Sequence, residues 1–450
     1  MADSVAPRPF DNFRVAITDP LYFFGRNELL AAIERSPFQV RILLGGRRIG
    51  KTSFLRAVEW TLLNLSTSKL FPTPRNKTHY GWIEKLFSVF SHQVNFPTKF
   101  QQPIPSSKQL VREGNRAFPV FINLQVEQPK DLDSLRYLLI ARLRETMNCW
   151  RAVPVAALRE MYRQFLSQVA GGEVTVGFLS TMNLKVNIRN PEHEKRLPHD
   201  NFRQGLLATI NELQTWHFDG VCFLLDGAEF VVSQNWANDA WSYLRGLKDT
   251  DTALKPFVGF LLSGYRSLKD YQQAVGSPLL NIAEVNWLTS LTSEQVQALI
   301  IQRCQEENFA LSETDIAAAI EWAGGHPYLT QQLLNCIFDD YQKAKFHSVE
   351  HLKYELLRLH ERDFSAWWND SQRPYSLGAT ERAVYWALIE NRQGTAESLS
   401  QQTQLSYSEV ADALDVLLGT GVIQKVDDEL CRISTRLFEE WVVQQPDQNG

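Results

Sequence analysis

Up to about residue 288 the chain alternates between two rhythms of apolar residues. One is a short unbroken run, the other a recurrence every three or four positions. Unbroken runs of strand length occur at 40–44 (Val40, Ile42, Leu43, Leu44), 118–125, 220–226 and 257–262, with a shorter fifth at 282–288. Between them the helical spacing predicts a helix from Asn27 (Leu29, Leu30, Ile33) and one over 51–65 (Phe54, Leu55, Val58, Leu62). It predicts two more over 135–147 and 201–215, and a further helix over 152–169. Residues 174–188 alternate like a hairpin. Strands that are apolar on both faces and alternate with helices predict an α/β fold with a parallel sheet covered on both sides.

From Leu291 only the helical rhythm remains. Thr292-Ser-Glu-Gln295 is a capping box ahead of Val296, Leu299, Ile300 and Cys304, and Ser312 to Asp315 repeats the device. Gly324-Gly325-His326-Pro327 breaks that helix, and another starts at Tyr328. A bridging helix over 349–362 precedes a last module, which reads as helices over 380–390, 395–403 and 406–418. That module ends in a hairpin turning at Asp427-Asp428. Three helices and a small hairpin predict a winged helix-turn-helix. The expected division is a tail over 1–20, an α/β domain over 21–289, a helical domain over 290–346, a bridge over 347–374 and the winged helix over 375–445. Residues 68–117 differ in kind, being proline-punctuated and basic, with Lys69, Arg75, Lys77, Lys85, Lys99, Lys108, Arg112 and Arg116 against Glu84 and Glu113. They read as an insertion, either a basic arm for nucleic acid or an acidic partner, or a solvated loop region.

The first strand runs into Gly45-Gly46-Arg47-Arg48-Ile49-Gly50-Lys51-Thr52-Ser53, which fits G-x-x-x-x-G-K-[ST] between a buried strand and a helix. Glycines at both ends let backbone N–H groups turn toward one anion, and the following helix brings its positive end to the same point. Lys51 is expected on the β- and γ-phosphates and the Thr52 hydroxyl on Mg²⁺. The loop therefore predicts binding of a nucleoside triphosphate, ATP as the first expectation. A second strand must then end in a carboxylate for the Mg²⁺ shell, and Phe223-Leu224-Leu225-Asp226 supplies it. The acid that orients the attacking water is expected at Glu229, because the position after Asp226 is Gly227; a purely structural Glu229 is the alternative. Arg266, just past the fourth strand, is expected to offset charge at the γ-phosphate or else to be a surface arginine.

Composition changes this picture little. The 450 residues are 44% hydrophobic and 22% charged, ordinary for a globular protein of several domains. No apolar run reaches the roughly 18 residues of a membrane helix. Cys149, Cys222, Cys304, Cys336 and Cys431 follow no metal-ligand spacing and read as reduced thiols of a cytoplasmic protein. A net charge of −5 gives no global attraction to nucleic acid. The candidate recognition helix over 406–418 carries Glu409, Asp412 and Asp415 and no Lys or Arg, so it reads as a protein-contact or autoinhibitory surface. Lys425, Arg432 and Arg436, read as lying on the wing, soften this slightly.

Gly25-Arg26-Asn27-Glu28-Leu29, the Gly-x-Arg-Arg-x-Gly-Lys-Thr-Ser loop, Asp226-Gly227-Ala228-Glu229 and Gly325-His326-Pro327 stand in one order before the winged helix. In this the chain resembles the STAND and archaeal-ATPase branch of AAA+-related P-loop NTPases. The resemblance implies a P-loop NTPase sheet with a helical lid, followed by a winged helix that packs on the nucleotide site. It implies Glu229 as the water-orienting acid, and Arg26 and Pro327 near the base. The function it implies is an ATP·Mg²⁺-controlled switch with slow hydrolysis to ADP and phosphate, coupled to oligomerisation or a protein partner; defence signalling is a common role among relatives. A DNA-loading or transposition-type AAA+ ATPase gripping DNA through residues 68–117, and a nucleotide-binding scaffold without turnover, are the alternatives.

Overall fold

The computed structural model describes residues 16–17, 22–63, 116–152, 197–275, 278–306, 310–343, 348–368 and 376–445. The hairpin expected over 174–188 lies outside the described residues. So do nearly all of the helix expected over 152–169, the basic insertion except Arg116 and Ala117, and the tail except residues 16–17.

Among the described residues five strands form one all-parallel sheet in the order β2-β3-β4-β1-β5. They are β1 (Val40–Leu44), β2 (Ala117–Asn123), β3 (Gly220–Asp226), β4 (Val258–Gly264) and β5 (Glu284–Trp287). Every residue of β1, β3 and β4 is buried, as continuous apolar runs require of strands covered on two faces. Pro119 lacks a ladder donor, and among the described residues β2 lies at the edge of the sheet, where that lack is tolerated. Strand alternation divides the core. Val40, Ile42, Leu44, Val221, Phe223, Leu225, Val258, Phe260 and Leu262 face one layer, while Leu43, Cys222, Leu224 and Leu261 face the other.

The first layer is filled by helices that the sequence shows as i, i+4 ladders. In α4 (Leu132–Ala152) these are Leu135, Leu139, Leu143 and Met147; in α5 (His199–Thr215), Phe202, Leu206 and Ile210. Helix α7 (Ala237–Asp249) adds Trp241, Leu244 and Leu247. Ile33 of α1 (Asn27–Arg35) and Phe54, Leu55 and Val58 of α2 (Lys51–Leu62) cover the second layer. Two one-turn helices, α3 (Leu124–Glu127) and α6 (Glu229–Val232), follow β2 and β3, and α8 (Arg266–Val275) follows β4. The sheet's C-terminal edge, where α/β folds place ligands, is thus ringed by the starts of α2, α3, α6 and α8.

The C-terminal half comprises α9 (Ser293–Glu306), α10 (Glu313–Ala323), α11 (Pro327–Gln342), α12 (Val349–Trp368), α13 (Ala379–Asn391), α14 (Ala396–Thr403), α15 (Tyr407–Thr420) and α16 (Arg436–Val443). Strands β6 (Gln393–Thr395), β7 (Ile423–Lys425) and β8 (Leu430–Ile433) pair antiparallel in the order β6-β8-β7. This is a winged-helix layout with one more strand than the hairpin read from sequence. Residues expected in the helical lid, the bridge and the winged helix share a single hydrophobic core running from Leu291 to Val442, which also takes in Tyr265 just past β4. Arg436 is not on the wing: it opens α16 and pairs with Glu321 of α10.

Phe438 of α16 knits this core together, with ring centroids 5.3–6.1 Å from Phe364, Trp367 and Trp368 of α12, Tyr385 of α13 and Trp441. Phe438→Ala is expected to destabilise the C-terminal half by about 3–5 kcal/mol through lost transfer energy and a residual cavity, measured by chemical denaturation. A change under about 1 kcal/mol would show that the ring does not join these helices.

Candidate nucleotide site

The phosphate loop begins where β1 ends. Gly45 N–H donates to Gly264 O of β4 at 3.1 Å, which pins the loop to the sheet edge. The chain then takes positive φ at Arg48 (65°) and Gly50 (97°) and enters α2 at Lys51. Lys51 Nζ curls back over the loop and donates to Gly45 O at 2.7 Å and Gly46 O at 2.9 Å. Burial pulls the Lys51 pKa down, and the nearby Glu229 and Asp226 carboxylates oppose that pull. Ser53 is buried, its Oγ accepting from Ile17 N–H at 3.0 Å, while Arg47 is exposed.

Thr52 Oγ1 donates to Asp226 Oδ2 at 2.8 Å, joining the loop to the acidic strand end. The other Asp226 oxygen accepts from Ser263 Oγ of β4. The next residue, Gly227, has φ +71°, and a Cβ there would lie 2.6 Å from Gln125 Cγ, so the turn favours glycine. The turn carries Glu229 to the start of α6, close enough to Lys51 for the two charges to act on each other. The Glu229 carboxyl is buried, and neither oxygen closes a hydrogen bond among the described residues. Burial raises its pKa; the Lys51 charge, and the backbone N–H groups of Glu229 and Tyr265 that lie near the carboxyl without closing a bond to it, offset this only in part. A buried, unpaired carboxyl next to a phosphate-loop lysine is suited to hold a water and accept its proton.

Arg26 straps the loop from its far side. Its Nη2 donates to Ile49 O at 2.7 Å and to Thr289 O at 3.1 Å, and burial lowers its pKa to about 9. Pro327 occupies the first turn of α11, where a missing N–H costs nothing. Its neighbour His326 is fully buried against Trp367, with centroids 5.2 Å apart, and burial lowers its pKa to about 3. His326 and Ile49 both border Gly421, so the lid motif, the loop and the end of α15 converge.

The resemblance implies a winged helix packed on the nucleotide site but names none of the contacts found on top of the loop. Gly46 N–H donates to Gly419 O, in the last turn of α15, at 2.7 Å. A Cβ on Gly46 would lie 2.8 Å from Thr420 Cα, and Gly419 in turn leaves room for the Trp287 ring. Ser290 Oγ donates to Gly421 O at 3.1 Å. Arg48 lies 4.1 Å over the Tyr328 ring and pairs with Asp363 of α12 at 2.5 Å, and Tyr328 Oη donates to the same carboxylate. The one available signal was the run of small residues Gly419-Thr420-Gly421 after a helix, which permits close backbone approach but names no partner.

Arg266 is not brought to the phosphate loop. It pairs with Glu381 of α13 at 2.9 Å and with Asp270 at 3.3 Å, because the almost fully buried Glu381 carboxylate requires a cation. These residues border a cleft of about 180 Å³ shared with Lys269, Glu409 and Asp412. Lys269 pairs with Asp412 at 2.8 Å, so the acidic face of α15 is turned toward α8. Among the described residues no helix is long and apolar enough to cross a membrane.

No family model and no curated protein matches the chain. Among solved structures it is similar to a Walker-type ATPase of Pyrococcus abyssi, at 15% identity and a TM-score of 0.52, covering 97% of this chain and 99% of that one. Looser likenesses include the ORC1 protein of Aeropyrum pernix in complex with DNA (12%, TM-score 0.38, 94% and 93%) and Cdc6p of Pyrobaculum aerophilum (13%, TM-score 0.37, 99% and 97%). The fold is that of a P-loop NTPase.

Because the folded-state pKa of Glu229 is raised, its charge opposes folding above the ordinary carboxyl range, and stability falls as pH rises through that window. Glu229→Gln is therefore expected to raise the melting temperature at pH 7.5 and to lose that advantage near pH 4.5. A lower melting temperature at pH 7.5 would contradict the burial and isolation of this carboxyl.

Proposed function

We propose that the chain is an ATP-binding molecular switch of the STAND/AAA+-like class. Slow hydrolysis of ATP to ADP and phosphate is coupled to movement of the lid and winged helix, and through it to oligomerisation or a protein partner. The observation that carries this reading is the Thr52–Asp226 hydrogen bond beneath Lys51, with the unpaired Glu229 carboxyl alongside and the end of α15 on the same loop. These residue types fit a nucleotide with its magnesium. The Thr52 hydroxyl and Asp226 would hold Mg²⁺, which takes few protein ligands and keeps phosphate oxygens and waters. Bound there, the ion would supply charge stabilisation at the phosphates.

The remaining roles follow from the geometry. Lys51 exchanges its bonds to Gly45 O and Gly46 O for phosphate oxygens. The loop N–H groups and the start of α2 bind the same anion. Glu229 orients water and takes its proton, and Arg266 reaches the γ-phosphate once released from Glu381. Arg26 holds Ile49 and thereby the loop, with Pro327 and the lid closing the base side. The DNA-loading alternative draws its basic arm from residues outside those described, and α15 presents acids to α8 rather than a basic face to a groove.

Lys51→Ala removes two or more charge-assisted bonds to phosphate and is expected to weaken Mg²⁺·ATP binding roughly 100-fold in titration calorimetry. Glu229→Gln should bind ATP at least as well as wild type and lose turnover. Unchanged ATP affinity in Lys51→Ala would overturn the site.

A further inference from the structure

The outward face of α15 carries more negative charge than its neighbours balance. Glu409, Asp412 and Asp415 are exposed along it. Asp427, in the turn between β7 and β8, extends the same field, since Asp415 and Asp427 both act on the Cys431 thiol. Lys269 pairs with Asp412 at 2.8 Å and reaches Asp415 at 4.0 Å, and Lys425 acts on Asp415 from the wing. Two lysines thus serve four carboxylates. Beside these acids opens the cleft of about 180 Å³, where Asp270, Glu409 and Asp412 meet the apolar Ala413 and Val416, while Arg266 and Lys269 on its α8 side are already paired. That size and lining suit one Lys or Arg side chain, its methylene stem on the apolar residues and its charge among the carboxylates. Tyr407, at the start of α15, and Val426, next to Asp427, add exposed apolar surface. An acidic face of this kind repels nucleic acid and favours a cationic polypeptide.

The chain itself contains such a polypeptide. Residues 64–115, outside those described, hold seven Lys or Arg against two Glu, a net of +5 in a chain of −5, so the remaining residues carry −10. The same stretch holds Tyr80, Trp82 and five phenylalanines, a match for Tyr407 and Val426. We propose that segment 64–115 docks on the acidic face of α15 within the same chain and places a Lys or Arg side chain in the cleft between α8 and α15. Its ends are tied at Leu63, just past α2, and at Arg116, just before β2. A loop of about 50 residues reaches roughly 80 Å out and back, well beyond the ~22 Å radius of gyration of a chain this long. Tethering holds the segment near the face at an effective concentration of up to about millimolar. Surface ion pairs too weak to hold a free partner therefore suffice. This docking is independent of the nucleotide and its site.

The test is carbodiimide cross-linking of the full chain, which joins lysine amines to carboxylates in direct contact, read by mass spectrometry on a mixture of unlabelled and ¹⁵N-labelled protein. Lysines of 64–115 should cross-link to Glu409, Asp412, Asp415 or Asp427 within single molecules. The cross-links should form at about 0.01 M salt and fade near 1 M, as the screening length falls from roughly 30 Å to 3 Å. In parallel, Asp412→Asn/Asp415→Asn should speed tryptic cleavage within 64–115 about tenfold, because proteolysis follows the undocked population and two surface pairs contribute roughly that factor. Both side chains are half exposed, so the change leaves the core untouched. Glu28→Gln/Glu313→Gln, the same charge change at exposed acids elsewhere, should leave the rate as in wild type. Absence of cross-links to this face in wild type would overturn the proposal, and so would equal cleavage of wild type and Asp412→Asn/Asp415→Asn. Cross-links found only between differently labelled copies would assign the face to a second molecule and overturn docking within one chain. Protection of 64–115 by duplex DNA alone, unaltered in Asp412→Asn/Asp415→Asn, would give the segment to nucleic acid and overturn it equally.

Discussion

A phosphate loop gathers several backbone N–H groups at one point, and such donors cannot be left buried without an acceptor. The rest of this structure is arranged around that constraint. In the state described here Gly46 N–H is satisfied by Gly419 O, from a helix more than 370 residues away in sequence. The contact demands glycine on both sides, since a Cβ on Gly46 would strike Thr420 and one on Gly419 would strike Trp287. It brings Trp287, Ser290 and His326 around the end of α15 and ties the C-terminal core to the edge of the sheet. Whatever binds the loop must therefore contend with the position of α15.

Buried charge is handled by the same economy of partners. Asp226 accepts from Thr52 and Ser263, Arg48 and Arg266 are paired with carboxylates from the other half, and Arg26 caps backbone carbonyls. Glu229 is the exception, a buried carboxyl without a hydrogen bond among the described residues. An unmet group at a strand end, opposite a lysine it can influence, is where chemistry is most readily placed.

Much of the α/β half was legible from sequence because its signals are local. Continuous apolar runs marked β1, β3 and β4; the glycine-lysine-threonine spacing marked the loop; Asp226 and Glu229 flank a turn that favours glycine. The box at Thr292 and Gln295 closes reciprocally as read, and Ser312 caps α10. Short elements were not legible: β6 has three residues, and α3 and α6 have four each, too few to show a period. Helix α7 carries a helical spacing in Ala237, Ala240, Trp241, Leu244 and Leu247 that the sequence reading does not include. The Arg266–Glu381 pair was not legible, because nothing near Arg266 in sequence announces Glu381, 115 residues on. The docking of α15 is of the same kind, a complementarity between distant segments that a residue pattern does not encode.

The proposed switch moves α15 when nucleotide binds, and hydrogen exchange with and without Mg²⁺·ATP tests it most directly. Exchange should slow over residues 45–53 and speed up over 407–425 in the same sample, as the loop gains phosphate and the end of α15 loses Gly46. Simultaneous slowing of both segments would mean that nucleotide binds beneath a module that stays closed, and would contradict the account.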